Sequence, residues 1–224
     1  MGDSNPPIHL IREKSGFLDL LAPHGLTSLA SLSSPSLGQF VTESRSSWVR
    51  KLDLSPIRLF IKTYDYPTRR DRIRGWFRTT LAAPSRALKE WNALTWLRNQ
   101  GLGGPEPLAL LEHRKLGVLH RATLITEAFP GEALDLLLPK LSPDARDTLL
   151  RELEDHVTRL HLAGFRDRNL DLRNLLARTS SEGAWEIVKI DSPRHRILEP
   201  GATTDRLARE DWDRLARSLD EAGL

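Results

Sequence analysis

The chain has 224 residues, 39% of them hydrophobic, which is enough to build a core in one sizeable domain or in two small lobes. Lys and Arg number 33 against 30 Asp and Glu, a net charge of +3, so the molecule as a whole is no polycation and an anionic partner must be met by local clusters. There is no cysteine, which excludes a disulfide framework and any thiolate metal site and is compatible with a reducing compartment. The opening residues lack an apolar run long enough for a signal peptide, and no later segment approaches the ~20 apolar residues of a membrane span, so a cytoplasmic protein is expected.

Residues 1–37 read as an N-terminal extension in which Leu26, Leu29 and Leu32 form a short helical stripe stopped by Pro35. From Gly38 the character changes. QFVTESRSSWVRKLDL and IRLFIKTY are rich in β-branched and aromatic residues and are separated by Ser55-Pro56, which predicts two antiparallel strands joined by a tight turn. In the second, Phe60, Lys62 and Tyr64 share one face while Leu59, Ile61 and Thr63 share the other. Lys62 is thus set among apolar neighbours, where it either snorkels to water from a strand edge or has a buried task.

Between Pro67 and Arg78, Arg69, Arg70, Arg72, Arg74 and Arg78 are interleaved with Trp76 and Phe77. Such a cluster suits phosphate, nucleic acid or anionic lipid headgroups, although for any single arginine a solvated connecting face is the plainer reading. No helix-turn-helix or basic-repeat pattern accompanies it, so no nucleic acid is expected as a partner. Pro84-Ser85 then starts a helix, SRALKEWNALTWLRNQG, closed by Gly101. Glu90, Leu94 and Leu97 fall at i, i+4 and i+7, which turns the carboxylate inward, and an inward carboxylate needs a cation. Lys62 is the candidate.

The Gly/Pro cluster Gly101 to Pro107 is a loop, and neither GxGxxG nor GxxxxGK occurs anywhere, which argues against Rossmann and P-loop enzymes. Apolar runs around Leu108 and from Ala122 to Thr126 read as strands joined by a basic turn, and Glu127-Ala128-Phe129-Pro130-Gly131 reads as a linker. Ser142-Pro143-Asp144 is a helix start, and the helix runs to Gly164 with Leu149, Leu150, Leu153, Val157 and Leu160 as its buried stripe. His156 and His161 are turned about 140° apart on it, so they cannot share a metal, and both are read as structural. The helix delivers LHLAGFRDRNLDLRNLLA, and WEIVKID then reads as a strand ending at Asp191. The closing helix buries Trp212, Leu215 and Leu219.

The stretch Asp167-Arg168-Asn169, four residues and Asn174 has the register of the kinase catalytic loop, His-Arg-Asp, four residues, Asn. Taken with FIKTY, SRALKEWNAL and KIDSPRHRI, and with a strand pair that carries Arg45 and Trp48 and has no glycine loop, the run from about residue 38 to 215 resembles the bacterial lipopolysaccharide kinase family. That family phosphorylates inner-core Kdo or heptose sugars and is a branch of the protein-kinase-like fold.

The resemblance implies an α+β, two-lobed chain: after the extension, an antiparallel-sheet N-lobe with one main helix over residues 38–128, and a reduced helical C-lobe over 129–224. It implies ATP and Mg as cofactors. Lys62, paired with Glu90, would contact the phosphates; Glu127 and Phe129 would offer backbone contacts to the adenine, with Thr126 at the rear; Asn174 and Asp191 would hold the metal. Two positions depart from the family pattern, Asp167 standing where the histidine is expected and Asn169 where the base aspartate is. An amide accepts no proton near neutral pH, and losing a general base typically costs about 10²- to 10⁴-fold. Positioning and metal electrostatics dominate phosphoryl transfer, so a weaker base lowers the rate and need not remove it. Asp167 and Asp171 flank the gap, and Asp171 is the preferred substitute.

With 33 residues after Asp191, a small or glycolipid acceptor fits better than a protein. The arginine cluster is assigned to an acidic acceptor or to the inner face of a membrane. The alternative from a different class is a pseudokinase, a nucleotide-binding scaffold or regulator marked by Asn169.

Overall fold

Strand alternation and two helix caps account for most of the architecture. The computed structural model describes residues 8–24, 26, 29–32, 34, 36–44, 46–66, 84–115, 118–201 and 205–224. Arg45 and the cluster of Arg69, Arg70, Arg72, Arg74 and Arg78 lie outside the described residues. The chain divides into two compact units, Met1–Asn92 with Glu106–Ala128, and Ala93–Pro105 with Phe129–Leu224.

The first unit is built on six antiparallel strands: β1 (Ile8–Glu13), β2 (Gln39–Ser44), β3 (Ser47–Leu54), β4 (Ile57–Asp65), β5 (Pro107–Lys115) and β6 (Val118–Glu127). They lie in the order β1-β5-β6-β4-β3-β2. Leu59 and Ile61 of β4, Leu111 of β5 and Ile125 of β6 point to one face, as period-two alternation requires, and pack with Phe17 and Leu21 of helix α1 (Phe17–Leu21) and Leu32 of α2 (Leu29–Leu32). The first 37 residues, read from sequence as an extension, therefore supply the outermost strand, which pairs with β5, and part of this core. The segment QFVTESRSSWVRKLDL, expected to be one strand, is a hairpin of β2 and β3. β2 is exposed along its whole length, so no buried face imposed an alternating pattern that would have marked it off.

Helix α3 (Arg86–Asn99) begins where expected, with Ser85 Oγ accepting the Leu88 N–H at 3.0 Å. It ends at Gly101, whose φ of 69° is the left-handed conformation a helix stop needs, while the Leu102 N–H returns to the Leu97 carbonyl at 2.9 Å. The boundary between the units falls within this helix, after Asn92.

The second unit contains β7 (Glu132–Ala133), α4 (Leu134–Leu137), the long helix α5 (Pro143–Leu162), β8 (Phe165–Asp167), β9 (Leu175–Thr179), β10 (Trp185–Lys189), β11 (His195–Ile197) and α6 (Arg206–Glu221). The strands form two small antiparallel sheets, β10-β9-β7 and β11-β8. The core gathers Leu149, Leu153, Val157 and Leu160 of α5 with Phe165, Leu172, Leu175 and Leu215. Ser142 caps α5 by accepting the Ala145 N–H at 3.4 Å. Gly164 makes the turn from α5 into β8 at φ 94°, and a Cβ there would stand 2.3 Å from the Leu198 carbonyl oxygen, so only glycine fits. No helix among the described residues is long and apolar enough to cross a membrane.

Candidate active site

In the first unit, Lys62 sits in the middle of β4, opposite Val49 of β3 and Leu124 of β6. Its ammonium donates to both oxygens of Glu90, at 3.1 and 2.9 Å. The Tyr64 hydroxyl, two residues along the same face, donates to Glu90 Oε2 at 2.8 Å, and Lys62 Nζ stands 5.3 Å from the Tyr64 ring centroid. Glu90 is 5% exposed. A carboxylate so buried is tolerated because three donor contacts reach it, and removal of the lysine would strand it at a cost of about 3–5 kcal/mol. Tyr64 is a third member the sequence reading did not assign; its signal was the i, i+2 spacing from Lys62 on one strand face.

In the second unit the loop is framed before it is reached. Arg166, fully buried, donates from Nε and Nη2 to Asp205 at 2.9 and 2.5 Å and from Nη1 to the carbonyls of His161 and Phe165 at 2.9 and 2.7 Å. The Arg166 guanidinium holds the Asp205 carboxyl down at about 2, and Asp205 also caps α6 by accepting the N–H groups of Leu207 and Ala208. Asp211 of α6 accepts the Asp167 N–H at 3.0 Å and lies 3.2 Å from His161 Nε2. Asp167 is 1% exposed, 2.9 Å from Lys189 Nζ, and accepts the Asn169 N–H at 3.1 Å. Its environment is that of a buried brace. Lys189, a lysine in an apolar strand like Lys62, carried the same sequence signal and was not singled out.

Past the brace, Asn169 Nδ2 donates to Asp191 Oδ2 at 2.7 Å and to the Asp191 carbonyl at 3.0 Å. Asn174 Nδ2 donates to the Asn169 carbonyl at 3.0 Å, and the Ile190 N–H to the Asn174 carbonyl at 2.9 Å. The three residues are thus one hydrogen-bonded group. Among the described residues Asp191 is the only non-glycine with positive φ, at 55°. A backbone so placed is costly, and here the contacts of Asn169 hold it. Asn174 has its Nδ2 committed, so the atom it offers is its amide oxygen. That oxygen and the Asp191 carboxylate are both hard donors, the chemistry that suits Mg²⁺. No set of three or more His, Cys, Asp or Glu among the described residues is arranged to hold a metal by itself. One carboxylate and an amide match an ion that takes its remaining ligands from phosphate and water.

Asp171 is 6% exposed, with Oδ2 contacted by Arg173 Nη2 at 3.2 Å and by Arg214 Nε and Nη2, both at 3.3 Å. Arg214 comes from α6, forty-three residues away, and nothing in the sequence pairs it with the loop. The Leu172 N–H donates to Ser218 Oγ, also on α6, at 3.0 Å.

Glu127 and Phe129 flank the passage from one unit to the other. The Glu127 N–H is committed to the Glu106 carbonyl at 2.9 Å, the Phe129 carbonyl accepts the Gly131 N–H at 2.9 Å, and the Arg178 guanidinium stands 4.8 Å from the Phe129 ring centroid. The sequence-predicted residues are therefore grouped as Lys62 with Glu90 in the first unit, and Asp167, Asn169, Asp171, Asn174 and Asp191 along one loop and its neighbouring strand end in the second.

Comparison with protein families matches residues 68–224 to the lipopolysaccharide kinase (Kdo/WaaP) family. Comparison with curated proteins finds no match. Among solved structures the chain is similar to one described as WaaP in complex with acyl carrier protein, at 17% sequence identity and a TM-score of 0.63, covering 96% of this chain and 83% of that one. That likeness shows a mixed, kinase-like fold with an antiparallel-sheet N-lobe.

Proposed function

Since this chain belongs to the lipopolysaccharide kinase (Kdo/WaaP) family, we propose that it transfers the terminal phosphoryl group of ATP to a sugar hydroxyl of a glycolipid. Family membership supports a kinase-type phosphotransferase; the donor, the metal, the acceptor and the residue roles below are our reading.

Lys62, held by Glu90 and Tyr64, is assigned to the nucleotide phosphates, with its ammonium fixed in place rather than swinging on a four-carbon stem. Glu127 and Phe129 are assigned to the adenine through backbone groups. Asn174 and Asp191 are the assigned ligands of Mg²⁺, which when bound neutralises charge on the transferring phosphoryl group. Asn169 fixes the Asp191 carboxylate by donating to it through Nδ2, and the amide oxygen that remains is too weakly basic to take a proton. We assign the acceptor's proton to Asp171, whose Oδ1 has no hydrogen-bond partner among the described residues. Asp167 was the other candidate; its 1% exposure and its contact with Lys189 favour a bracing role. The protein is assigned to the cytoplasm, with the arginines at 69, 70, 72, 74 and 78 meeting the inner face of the membrane.

The observation that most supports this reading is the buried Lys62–Glu90 pair, because a strand lysine and a helix glutamate are held together where a surface lysine would have needed neither. Incubation with radiolabelled ATP, Mg²⁺ and purified lipopolysaccharide is expected to label the lipid. Lys62→Met and Asp191→Asn are each expected to lower transfer by about 10²-fold or more. Undiminished transfer by both variants would remove these assignments.

One observation favours a second reading. The Asn169 amide occupies the base position and is bonded to Asp191, which suits a protein that holds nucleotide without turning it over. ATP binding by calorimetry, with no lipid label in the same preparation, would select it.

A further inference from the structure

Lys189 and Asp167 form the most deeply buried ion pair among the described residues, with side chains 0% and 1% exposed and Nζ 2.9 Å from Oδ2. The contact is ionic rather than an aligned hydrogen bond. Neither residue is assigned above to nucleotide, metal or acceptor, so two charges held out of water call for a separate reason. On stability alone the pair is a poor choice. Desolvation offsets most of the attraction between buried charges, and two apolar side chains of similar volume would hold the fold as well or better.

The reason lies in the ring of contacts that the pair closes. Lys189 ends β10, two residues before Asp191, and its ammonium donates to the Ile190 carbonyl, on the peptide that leads into Asp191. The same ammonium meets Asp167 at the end of β8, two residues before Asn169. Asp167 Oδ1 accepts the Asn169 N–H, and Asn169 Nδ2 donates to the carboxylate and carbonyl of Asp191. The circuit thus runs from Lys189 through Asp167, Asn169 and Asp191 and back through Ile190. Asn174 joins it twice, by its bond to the Asn169 carbonyl and by accepting the Ile190 N–H on its own carbonyl. A hydrocarbon pair would fill the same space, but it could neither offer an oxygen to the Asn169 N–H nor hold the Ile190 carbonyl. Asp191 sits at a φ of 55° that its neighbours must impose. The acid at the histidine position of the loop register therefore has its counter-charge on the strand that delivers Asp191.

We propose that Lys189 is a positioning residue: with Asp167 it presets Asp191 and Asn174 to take a divalent ion together with the nucleotide, while touching neither itself. The inference rests on the reading of Asp191 and Asn174 as metal ligands.

The test measures how much Mg²⁺ strengthens ATP binding to the full chain, by calorimetric titration with MgATP and with ATP in EDTA. The first variant combines Lys189→Met with Asp167→Leu, which removes both charges together and strands neither. Its melting temperature without ligand and its affinity for metal-free ATP are expected to stay close to wild type, while the gain from Mg²⁺ falls by about tenfold or more. Titrated well below the melting temperature, the gain reads the folded protein alone. The second variant, Lys189→Met with Asp167→Asn, is also neutral but keeps an acceptor for the Asn169 N–H, and it is expected to lose less of the gain. A variant that melts lower yet keeps the full gain makes the pair structural only and overturns the proposal, as does failure of both variants to fold. A wild type that binds ATP equally with and without Mg²⁺, or binds no ATP, removes the metal-ligand reading and the proposal with it. A gain present in wild type and retained in both variants removes the proposal alone.

Discussion

Asn169 stands where the kinase catalytic-loop register calls for an aspartate, and its geometry explains what the amide does. Its Nδ2 lies 2.7 Å from Asp191 Oδ2, so an aspartate in its place would set two carboxylates in contact, and two such groups cannot both ionise without a cation between them. Asn169→Asp is therefore expected to lower the melting temperature by several degrees without Mg²⁺ and to recover most of that loss when Mg²⁺ is added. Superimposable melting curves under both conditions would show that the amide carries no such load. The identity of position 169 was legible in the loop's register. Its bond to a residue twenty-two positions on was not, because register says nothing of which way a side chain turns. Asp171 divides in the same way: Arg173 stands two residues away and was in view, while Arg214 arrives from a helix read only for its apolar stripe.

Helix α5 carries a pH dependence of its own. Burial, reinforced by the nearby positive charges of Arg159 and Lys189, pushes His156 from the usual 6.5 to about 4. The folded state holds the neutral ring, so this contribution to stability is complete above the ordinary histidine range. It is lost as pH falls from about 6.5 toward 4, where the unfolded chain takes up a proton that the folded chain refuses; the loss approaches ~3 kcal/mol. Urea midpoints measured at pH 7 and pH 4.5 should fall accordingly, and less steeply in His156→Leu. Gly164→Ala, at the turn this helix feeds, combines a left-handed φ with a Cβ 2.3 Å from a carbonyl, and should cost on the order of 2 kcal/mol in the same assay. The elements best read from sequence were those with a buried stripe or a cap, α3, α5 and β4. β1 and β2, at the two edges of the sheet, were missed or merged, since an edge strand with solvent on its sides need not alternate.

At the scale of the whole molecule the net charge of +3 is too small to bind a membrane by itself, so the peripheral attachment proposed above requires a local concentration of arginine. Replacing Arg69, Arg70, Arg72, Arg74 and Arg78 together with Gln should weaken sedimentation with phosphatidylglycerol vesicles by at least about tenfold, at ~1 kcal/mol per charge, and leave ATP affinity unchanged. Equal sedimentation of wild type and variant would remove the membrane from this account. Each of the two units has its own core, and the stretch from Glu127 to Gly131, legible in the sequence as a linker, lies where the chain passes from one to the other. That the first 37 residues belong to the first core was not legible, because their apolar positions are too sparse to mark a face.

One arrangement in the second unit bears on how the protein is made. Asp211, Arg214 and Ser218 of α6 each reach back to the loop at Asp167, Asp171 and Leu172. A nascent chain therefore leaves the ribosome with these loop residues still missing their anchors until α6 has cleared the exit tunnel. Translation stopped short of Asp211 yields a polypeptide that carries every assigned ligand of nucleotide and metal, yet lacks the struts that shape them.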